Sequence, residues 1–248
     1  MKDKVKEKKI SNAISVTLIV GFLGSIALNA IGANLRYKEA ENFQYMKNAI
    51  GVPIVADLGF DKTLDVVIDE SFDENQKNHI IKAIQELDID LTGVSYNIVL
   101  DSDKAGKKCI NIHKLDYDIT NEDCLGNTIY KAHPVYGKVM FPVDIELYTE
   151  AYTDTFDDPD FKEEYFSCLV KHEMLHVLGF DDVYDEDYIN KTIMYGYYTS
   201  ENTLFDLSQS DIDMVNSVYK PAKEKFINVK TREPLFVNPK VEEEENTL

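Results

Sequence analysis

The sequence is poor in positive charge. Its 248 residues include 26 lysines and arginines against 45 aspartates and glutamates, which gives a formal net charge of −19. Proteins that bind nucleic acids present clustered lysine and arginine to the phosphates, so this balance argues against a nucleic-acid partner. The acidity favours solubility through self-repulsion, and it leaves open an attraction for basic peptides or for calcium ions.

Cysteine is also scarce. The chain has three cysteines, Cys109, Cys124 and Cys168, which cannot all pair with one another. In an exported protein, a Cys109–Cys124 disulfide could close a short loop. Cys168 precedes His172 by four residues and so falls on the same face of a predicted helix. A small buried residue is the interpretation we favour for Cys168, with a metal ligand as the alternative.

The one long apolar run lies near the N-terminus. Residues 13–33, AISVTLIVGFLGSIALNAIGA, carry no charge and follow five lysines among the first nine residues. Lysines before such a run are typical of an export signal, and about 20 apolar residues are also enough to span a bilayer. Residues 1–33 are therefore predicted to be a cleaved signal peptide or an uncleaved membrane anchor. Both alternatives place the rest of the chain outside the cytoplasm.

The rest of the chain is long enough for one domain of catalytic size. Residues 34–60 are predicted to form a spacer or accessory segment, residues 61–220 the folded domain, and residues 221–248 an acidic C-terminal extension. We expect a monomer that contacts a membrane only through its N-terminal segment.

Strand and helix patterns alternate within the domain. Residues 63–69 and 94–101 have strand patterns, and the apolar residues between them recur at helical spacing after Asp73, a predicted cap. This order predicts an α+β or mixed α/β domain with a parallel pair of strands. Residues 137–149 form another strand pattern, whose Pro142 indicates a sheet edge or a bulge because proline cannot donate to a ladder.

The stretch VKHEMLHVLGFDD, residues 170–182, suggests a metal site. His172 and His176 are four residues apart in a helix pattern, so they project from one face and can bind a single zinc ion. Glu173 stands beside the first histidine, close enough to reach a metal-bound water without being a ligand itself. Two surface histidines without a metal are the alternative.

A catalytic zinc ion needs a third protein ligand. Gly179 is predicted to end the helix three residues after His176, which allows the chain to turn back toward the metal. Asp182 is the predicted third ligand, and Asp181 is the competing assignment.

These residues resemble the zinc-binding pattern of the metzincin peptidases. His172, Glu173, His176, Gly179 and Asp182 follow its spacing, and a methionine turn, TIMYGYY, comes later with Met194. The resemblance is closest to matrixin-like enzymes, although aspartate in place of the third histidine is similar to snapalysin-type enzymes. LSQSDIDMVNSVY, residues 207–219, resembles the family's final helix, with Ser208 as its cap and Asp211 in its first turn.

The resemblance implies a fold and an activity. The fold would be a twisted mixed sheet with an antiparallel edge strand, an active-site helix, a methionine turn and a C-terminal helix. The activity would be zinc-dependent cleavage of protein or peptide substrates, with Glu173 as general base and Met194 as an apolar floor under the zinc ion. Candidate substrate-binding residues are Val139, Phe141, Val143 and Ile145 on the predicted edge strand, and Tyr195 and Tyr197 as pocket walls.

Some family features are missing. Residues 34–60 contain no cysteine motif of the kind that keeps matrixins latent. The family's loop for a structural zinc and calcium ions is not matched, so His113 and His133 are interpreted as ordinary loop histidines and a calcium site is unsupported. Two other functions stay open: a non-catalytic surface binding module, and a zinc hydrolase of small peptides or cell-wall amides.

Overall fold

The structure is a computed structural model. It describes residues 46–59, 62–99, 103, 105–117, 124–151, 159–197 and 202–219, with backbone alone for residues 159–163. The predicted export segment and the acidic C-terminal extension lie outside this part of the chain, as do the first residues of the predicted spacer. Within the described ranges, no helix is both long enough and apolar enough to cross a membrane.

The described residues form six strands, three α-helices and one short 3-10 helix. The strands are β1 (Val55–Ala56), β2 (Thr63–Ile68), β3 (Ser95–Ile98), β4 (Cys109–Leu115), β5 (Gly126–Ala132) and β6 (Lys138–Tyr148). The helices are α1 (Glu74–Asp90), α2 (Pro159–Val177) and α3 (Gln209–Val218), and the 3-10 helix covers Glu186–Tyr188.

All six strands join one mixed sheet. Strands β3, β2, β4 and β6 lie side by side in that order and run parallel. The short β1 pairs in parallel with the start of β6, whereas β5 runs antiparallel to β6. The mixed α/β fold predicted from the sequence is confirmed, including the parallel pairing of the two strands on either side of α1.

The predicted edge position of β6 is wrong. β6 pairs with β4 along one side and with β5 along the other. Pro142 fits into this interior strand because it follows the residues paired with β1 and precedes Val143, the first residue paired with β4. On the opposite side, the register with β5 shifts between Ile129 and Lys131. The sequence offered a bulge as the alternative to an edge position for Pro142, and the structure has such an irregularity in the β5–β6 pairing.

The core lies between the sheet and helices α1 and α2. Alternate residues of the central strands are at most 1% exposed: Leu64, Val66, Ile110, Ile112, Val143, Ile145 and Leu147. α1 contributes a stripe at helical spacing: Ile80, Ala83, Ile84 and Leu87. Each large aliphatic side chain buried in this way stabilises the fold by about 1.5–3 kcal/mol. Helix α2 packs into the same core through Leu169, Val170, Met174 and Leu175.

The three cysteines form no disulfide. The Cys109 and Cys124 thiols lie against different partners, the Asn111 side-chain oxygen at 3.2 Å and the Gly126 carbonyl at 3.0 Å. The disulfide suggested by the sequence is therefore not formed in this structure. Cys168 is 5% exposed, and burial raises the pKa of its thiol to about 12, in line with the buried-residue interpretation.

A buried lysine ties α2 to its surroundings. Lys171 is 2% exposed, and its ammonium nitrogen lies 2.6 Å from a carboxylate oxygen of Glu86 on α1. The same nitrogen lies 2.7 Å from Asp206, in the segment before α3. The residue that precedes the first histidine of the motif is thus anchored to two other elements.

The turn after α2 is stabilised by hydrogen bonds from two distant segments of the chain. The Met46 backbone N–H donates to the Gly179 carbonyl at 3.0 Å. The Tyr219 hydroxyl, at the end of α3, accepts from the Ala56 N–H at 3.0 Å and donates to the Leu178 carbonyl. Segments far apart in the sequence therefore fix the position of the loop that follows the motif helix.

Candidate metal centre

Helix α2 brings the two histidines of the motif together. The Nε2 atoms of His172 and His176 are 3.1 Å apart, and the rings are nearly perpendicular at 88°. Each Nδ1 lies 2.7 Å from a backbone carbonyl, that of Ile193 for His172 and that of Phe180 for His176. A carbonyl can only accept, so each neutral ring carries its proton on Nδ1 and presents the lone pair of Nε2 to the other ring.

Asp182 completes a triangle of donor atoms. Its Oδ1 lies 3.1 Å from His172 Nε2 and 3.5 Å from His176 Nε2. This oxygen is buried and accepts no hydrogen bond, which is costly for a carboxylate unless a positive charge occupies the centre of the triangle. Asp181 was the competing assignment for the third ligand. Its Oδ1 accepts a hydrogen bond from the backbone N–H of Asp182 at 3.1 Å. The carboxylate that lies beside the two histidines is that of Asp182.

The triangle has the dimensions of a zinc site. Tetrahedral ligands at about 2.0–2.1 Å from a zinc ion lie about 3.3–3.4 Å from one another. The observed sides are 3.1, 3.1 and 3.5 Å. Two imidazoles and one carboxylate are also a donor set that zinc accepts, with a fourth position left for a water molecule or a substrate. The residues therefore fit a catalytic zinc ion.

The electrostatics of the triangle favour a cation. Burial lowers the pKa of His176, but the adjacent carboxylates of Asp182 and Glu173 outweigh it and raise that pKa to about 9. Burial raises the pKa of Asp182, yet the two histidines hold it well below its ordinary range. Both shifts follow from the same arrangement, in which two imidazoles and a carboxylate together favour positive charge between them.

Gly179 allows the chain to return to the histidines. Its φ is +98°, and a Cβ on this residue would lie 2.1 Å from the carbonyl oxygen of Ile54. Glycine is required both for the conformation and for the close approach. The turn brings the Phe180 carbonyl to His176 and, two residues later, Asp182 to both rings.

Glu173 is buried beside the triangle, against β5. It is 3% exposed, and the Thr128 hydroxyl donates to its Oε2 at 2.7 Å. A Cβ on Gly126 would lie 2.7 Å from Glu173 Oε1, so the glycine leaves room for the carboxylate. Sequence reasoning missed Thr128 and Gly126. The one available signal was their spacing of two residues in a strand, which places both on the same face.

The methionine turn holds His172 through its backbone. Met194 is 1% exposed, and its carbonyl accepts from the Val183 N–H at 2.8 Å. The preceding carbonyl, that of Ile193, is the acceptor for His172 Nδ1. The turn therefore orients the ring, and Met194 itself packs in the core.

Asp211 holds this turn in place from α3. Its carboxylate accepts from the Thr192 hydroxyl and from the Ile193 N–H, the latter at 3.2 Å. It also accepts from the Ser208 N–H at 2.9 Å, as part of the capping box at the start of α3. Asp211, predicted as the acid in the first turn after the Ser208 cap, thus has a second role, because it positions the peptide group whose carbonyl orients His172.

The candidate substrate-binding residues lie in different environments. Val139, Val143 and Ile145 are at most 4% exposed in the core, and only Phe141 among the four β6 residues is partly exposed. These three side chains pack into the hydrophobic core, which leaves them no surface for a substrate. Tyr195 is 6% exposed, whereas Tyr197 is 56% exposed and forms an aromatic group with Tyr184 at a centroid distance of 4.9 Å.

The two remaining candidate histidines lie elsewhere. His113 is in β4, not in a loop, with Nε2 3.1 Å from Asp144 Oδ1. His133 follows β5, and its Nδ1 accepts from the backbone N–H of Val135 at 3.2 Å. Neither residue belongs to a group of three potential metal ligands in the described part of the chain.

Comparisons with known proteins give remote similarities. No protein-family model matches the sequence, and no curated protein matches it. Among solved structures, the chain is similar to myroilysin at 12% identity and a TM-score of 0.39, over 65% of this chain and 94% of that one. It is also similar to high choriolytic enzyme 1, a hatching enzyme zinc-protease from the medaka fish Oryzias latipes, at 14% identity and a TM-score of 0.35, over 71% and 94%. Similarities this remote carry no argument about function, which has to come from the site itself.

Proposed function

We propose that the protein is a zinc-dependent metalloendopeptidase of the metzincin type that acts outside the cytoplasm, either secreted or anchored by its N-terminal segment. The observation that carries this proposal is the triangle of His172 Nε2, His176 Nε2 and the buried, unbonded Asp182 Oδ1. The resemblance of the motif to matrixin-like enzymes, with aspartate as in snapalysin-type enzymes, supports the same conclusion.

The residues divide the chemistry among them. A zinc ion held by His172, His176 and Asp182 would polarise the peptide carbonyl and lower the pKa of a bound water. Glu173 takes the proton of that water on its carboxylate and delivers it to the nitrogen of the departing amine. Its burial, at 3% exposure, keeps bulk solvent away from this proton transfer. Thr128 holds one oxygen of the carboxylate and so limits its rotation.

The substrate would bind along β5. In the described part of the chain, β5 pairs with β6 alone, whereas β6 has neighbours on both sides. An extended peptide can add to an unpaired side of a strand through backbone hydrogen bonds. Since Gly126 and Thr128 of this strand contact Glu173, a peptide beside them would have its carbonyl close to the base. β5 therefore replaces β6 as the proposed substrate strand.

The test combines zinc content and proteolysis. The full-length protein, kept in mild detergent because of its apolar N-terminal run, is assayed for bound zinc and for cleavage of a denatured protein. Glu173→Ala should keep the zinc and lose at least about 10²-fold in turnover, since it removes the general base. Asp182→Ala should lose zinc, and Asp181→Ala should keep it.

The outcomes separate the competing functions. Zinc binding without cleavage of proteins or of a mixed peptide library would favour a non-catalytic binding module. Cleavage of short peptides or cell-wall amides alone would favour the small-substrate hydrolase. Loss of zinc in Asp181→Ala and not in Asp182→Ala would show that the third ligand is wrongly assigned.

A further inference from the structure

The carboxylate of Asp182 has a second contact that the proposed reaction does not use. Oδ1 faces the two histidines, while Oδ2 accepts a hydrogen bond from the Tyr184 hydroxyl at 3.0 Å. The two oxygens are thus divided between the metal centre and a phenol. We propose that Tyr184 is a positioning residue that makes Asp182 a metal ligand through one oxygen. This proposal rests on the metal centre proposed above, but not on peptidase activity.

The backbone explains why Tyr184 reaches Asp182. Val183, between them, pairs in a parallel bridge with Tyr195 of the methionine turn. Its N–H donates to the Met194 carbonyl at 2.8 Å, and its carbonyl accepts from the Gly196 N–H at 3.0 Å. Residues on either side of a paired, extended residue project to the same side. Asp182 and Tyr184 are therefore neighbours on the side opposite to Val183, which is buried.

Gly196 makes room for this contact. A Cβ on Gly196 would lie 2.6 Å from Cε1 of Tyr184 and 3.0 Å from Cβ of Asp182. The φ of Gly196 is not in the left-handed region, so the backbone there does not require glycine. Space is the reason for glycine at this position, and the Tyr184 ring fills that space.

The hydroxyl is the part of Tyr184 that packing does not explain. The residue is 51% exposed, and its ring lies 4.9 Å from the ring of Tyr197 at an angle of 57°. Phenylalanine would keep this ring contact. The hydroxyl alone holds Oδ2, and a carboxylate has two equivalent oxygens that must be distinguished if only one is to bind the metal. Partners that orient metal ligands in this way typically change metal affinity by about 10–100-fold.

The experiment removes the hydroxyl and keeps the ring. Zinc affinity of full-length Tyr184→Phe is measured by competition with a chromogenic chelator and compared with the unaltered protein. We expect a loss of about 10–100-fold, with unchanged thermal stability of the zinc-free protein. Tyr197→Phe, the same change on the neighbouring exposed ring, should leave zinc affinity unchanged. Gly196→Ala should weaken zinc binding, because its Cβ displaces the Tyr184 ring.

Cobalt gives a second measurement that does not depend on activity. The visible absorption of the Co²⁺-loaded protein reports the coordination number of the metal. Tyr184→Phe should change this spectrum, since Oδ2 is then free to approach the metal, and Tyr197→Phe should not. Zinc affinity within about twofold of the unaltered protein, together with an unchanged cobalt spectrum, would overturn the proposal, because the expected effect is about 10–100-fold.

The results distinguish this inference from the proposed peptidase. An inactive protein that binds zinc and loses affinity in Tyr184→Phe would support the role of Tyr184 and reject the peptidase. If the protein is an active peptidase and Tyr184→Phe leaves its zinc affinity unchanged, the role of Tyr184 is rejected and the proposed peptidase function is not. Absence of zinc binding in the unaltered protein would overturn both.

Discussion

Two glycines allow the close approach after α2 to be measured separately from backbone conformation. Gly179 and Gly51 both have positive φ, +98° and +77°. A Cβ on Gly179 would lie 2.1 Å from the Ile54 carbonyl oxygen, whereas a Cβ on Gly51 would have no atom within 4 Å. Gly179→Ala therefore adds both strain and overlap, and Gly51→Ala adds strain alone.

The expected losses follow from these two contributions. Alanine in a left-handed conformation costs about 1–2 kcal/mol, and both variants bear this cost. Overpacking typically adds about 1–3 kcal/mol, which applies to Gly179→Ala alone because a backbone carbonyl cannot move aside like a flexible side chain. The free energy of unfolding should thus fall by about 1–2 kcal/mol in Gly51→Ala and by about 2–5 kcal/mol in Gly179→Ala.

Urea unfolding with excess chelator measures both losses without a contribution from bound metal. A zinc titration then tests the link to the site, since Gly179 lies three residues before Asp182 and Gly51 is remote in the sequence. Zinc affinity should fall in Gly179→Ala and stay unchanged in Gly51→Ala. Equal losses of stability in the two variants would refute the reasoning, because the overlap with Ile54 would then contribute nothing.

Three further changes test other contacts. Asp211→Ala should lower the free energy of unfolding by about 3–5 kcal/mol in urea, because several buried donors lose their acceptor, while the exposed Asp213→Ala should cost less than about 0.5 kcal/mol. Thr128→Val should lower kcat with KM and zinc content unchanged, and Thr128→Ser should restore kcat; equal activity of both would contradict positioning by the hydroxyl. Burial lowers the pKa of Lys171, but hydrogen bonds to its two acidic partners raise it overall. Lys171→Met should therefore cost about 1–3 kcal/mol at pH 7, and the difference from the unaltered protein should shrink as the pH rises above the ordinary lysine pKa of about 10.4 and through the higher pKa of native Lys171.

Local patterns predicted the helices and their caps. Asp73 was predicted as a cap, and it forms a capping box with Gln76 at the start of α1. Ser208 and Asp211 form another at the start of α3. Such signals lie within a few residues of each other, so the sequence displays them directly. The contacts of Asp211 with Thr192 and Ile193 span 19 and 18 positions, respectively, and have no local pattern.

The wrong prediction that β6 lies at a sheet edge arose because strand pairing is decided by residues far apart in the sequence. Pro142 indicated an edge or a bulge, and the sequence contains nothing local that chooses between them. The choice depends on β5 and β4, which join the two sides of β6 from different parts of the chain. Thr128 could not be predicted from the sequence for the same reason, because its contact with Glu173 connects residues 45 positions apart.

The proposed metal ligands could be named from the sequence because they lie close together in it, whereas the hydrogen bonds that orient them could not. Each ligand has its other polar atom held by one hydrogen bond: His176 by the Phe180 carbonyl, Asp182 by the Tyr184 hydroxyl and His172 by the Ile193 carbonyl. All three partners come from the segment between α2 and α3, and two of them are backbone carbonyls, which any residue would provide. Only Tyr184 contributes a side chain, and it donates to Asp182, the residue that departs from the histidine pattern.

An imidazole held at Nδ1 has one nitrogen left for a metal, but a carboxylate keeps two equivalent oxygens unless a donor occupies one of them. An aspartate ligand at this position therefore gains from a hydroxyl donor that a histidine ligand would not need, and Tyr184, in the space left by Gly196, provides that donor.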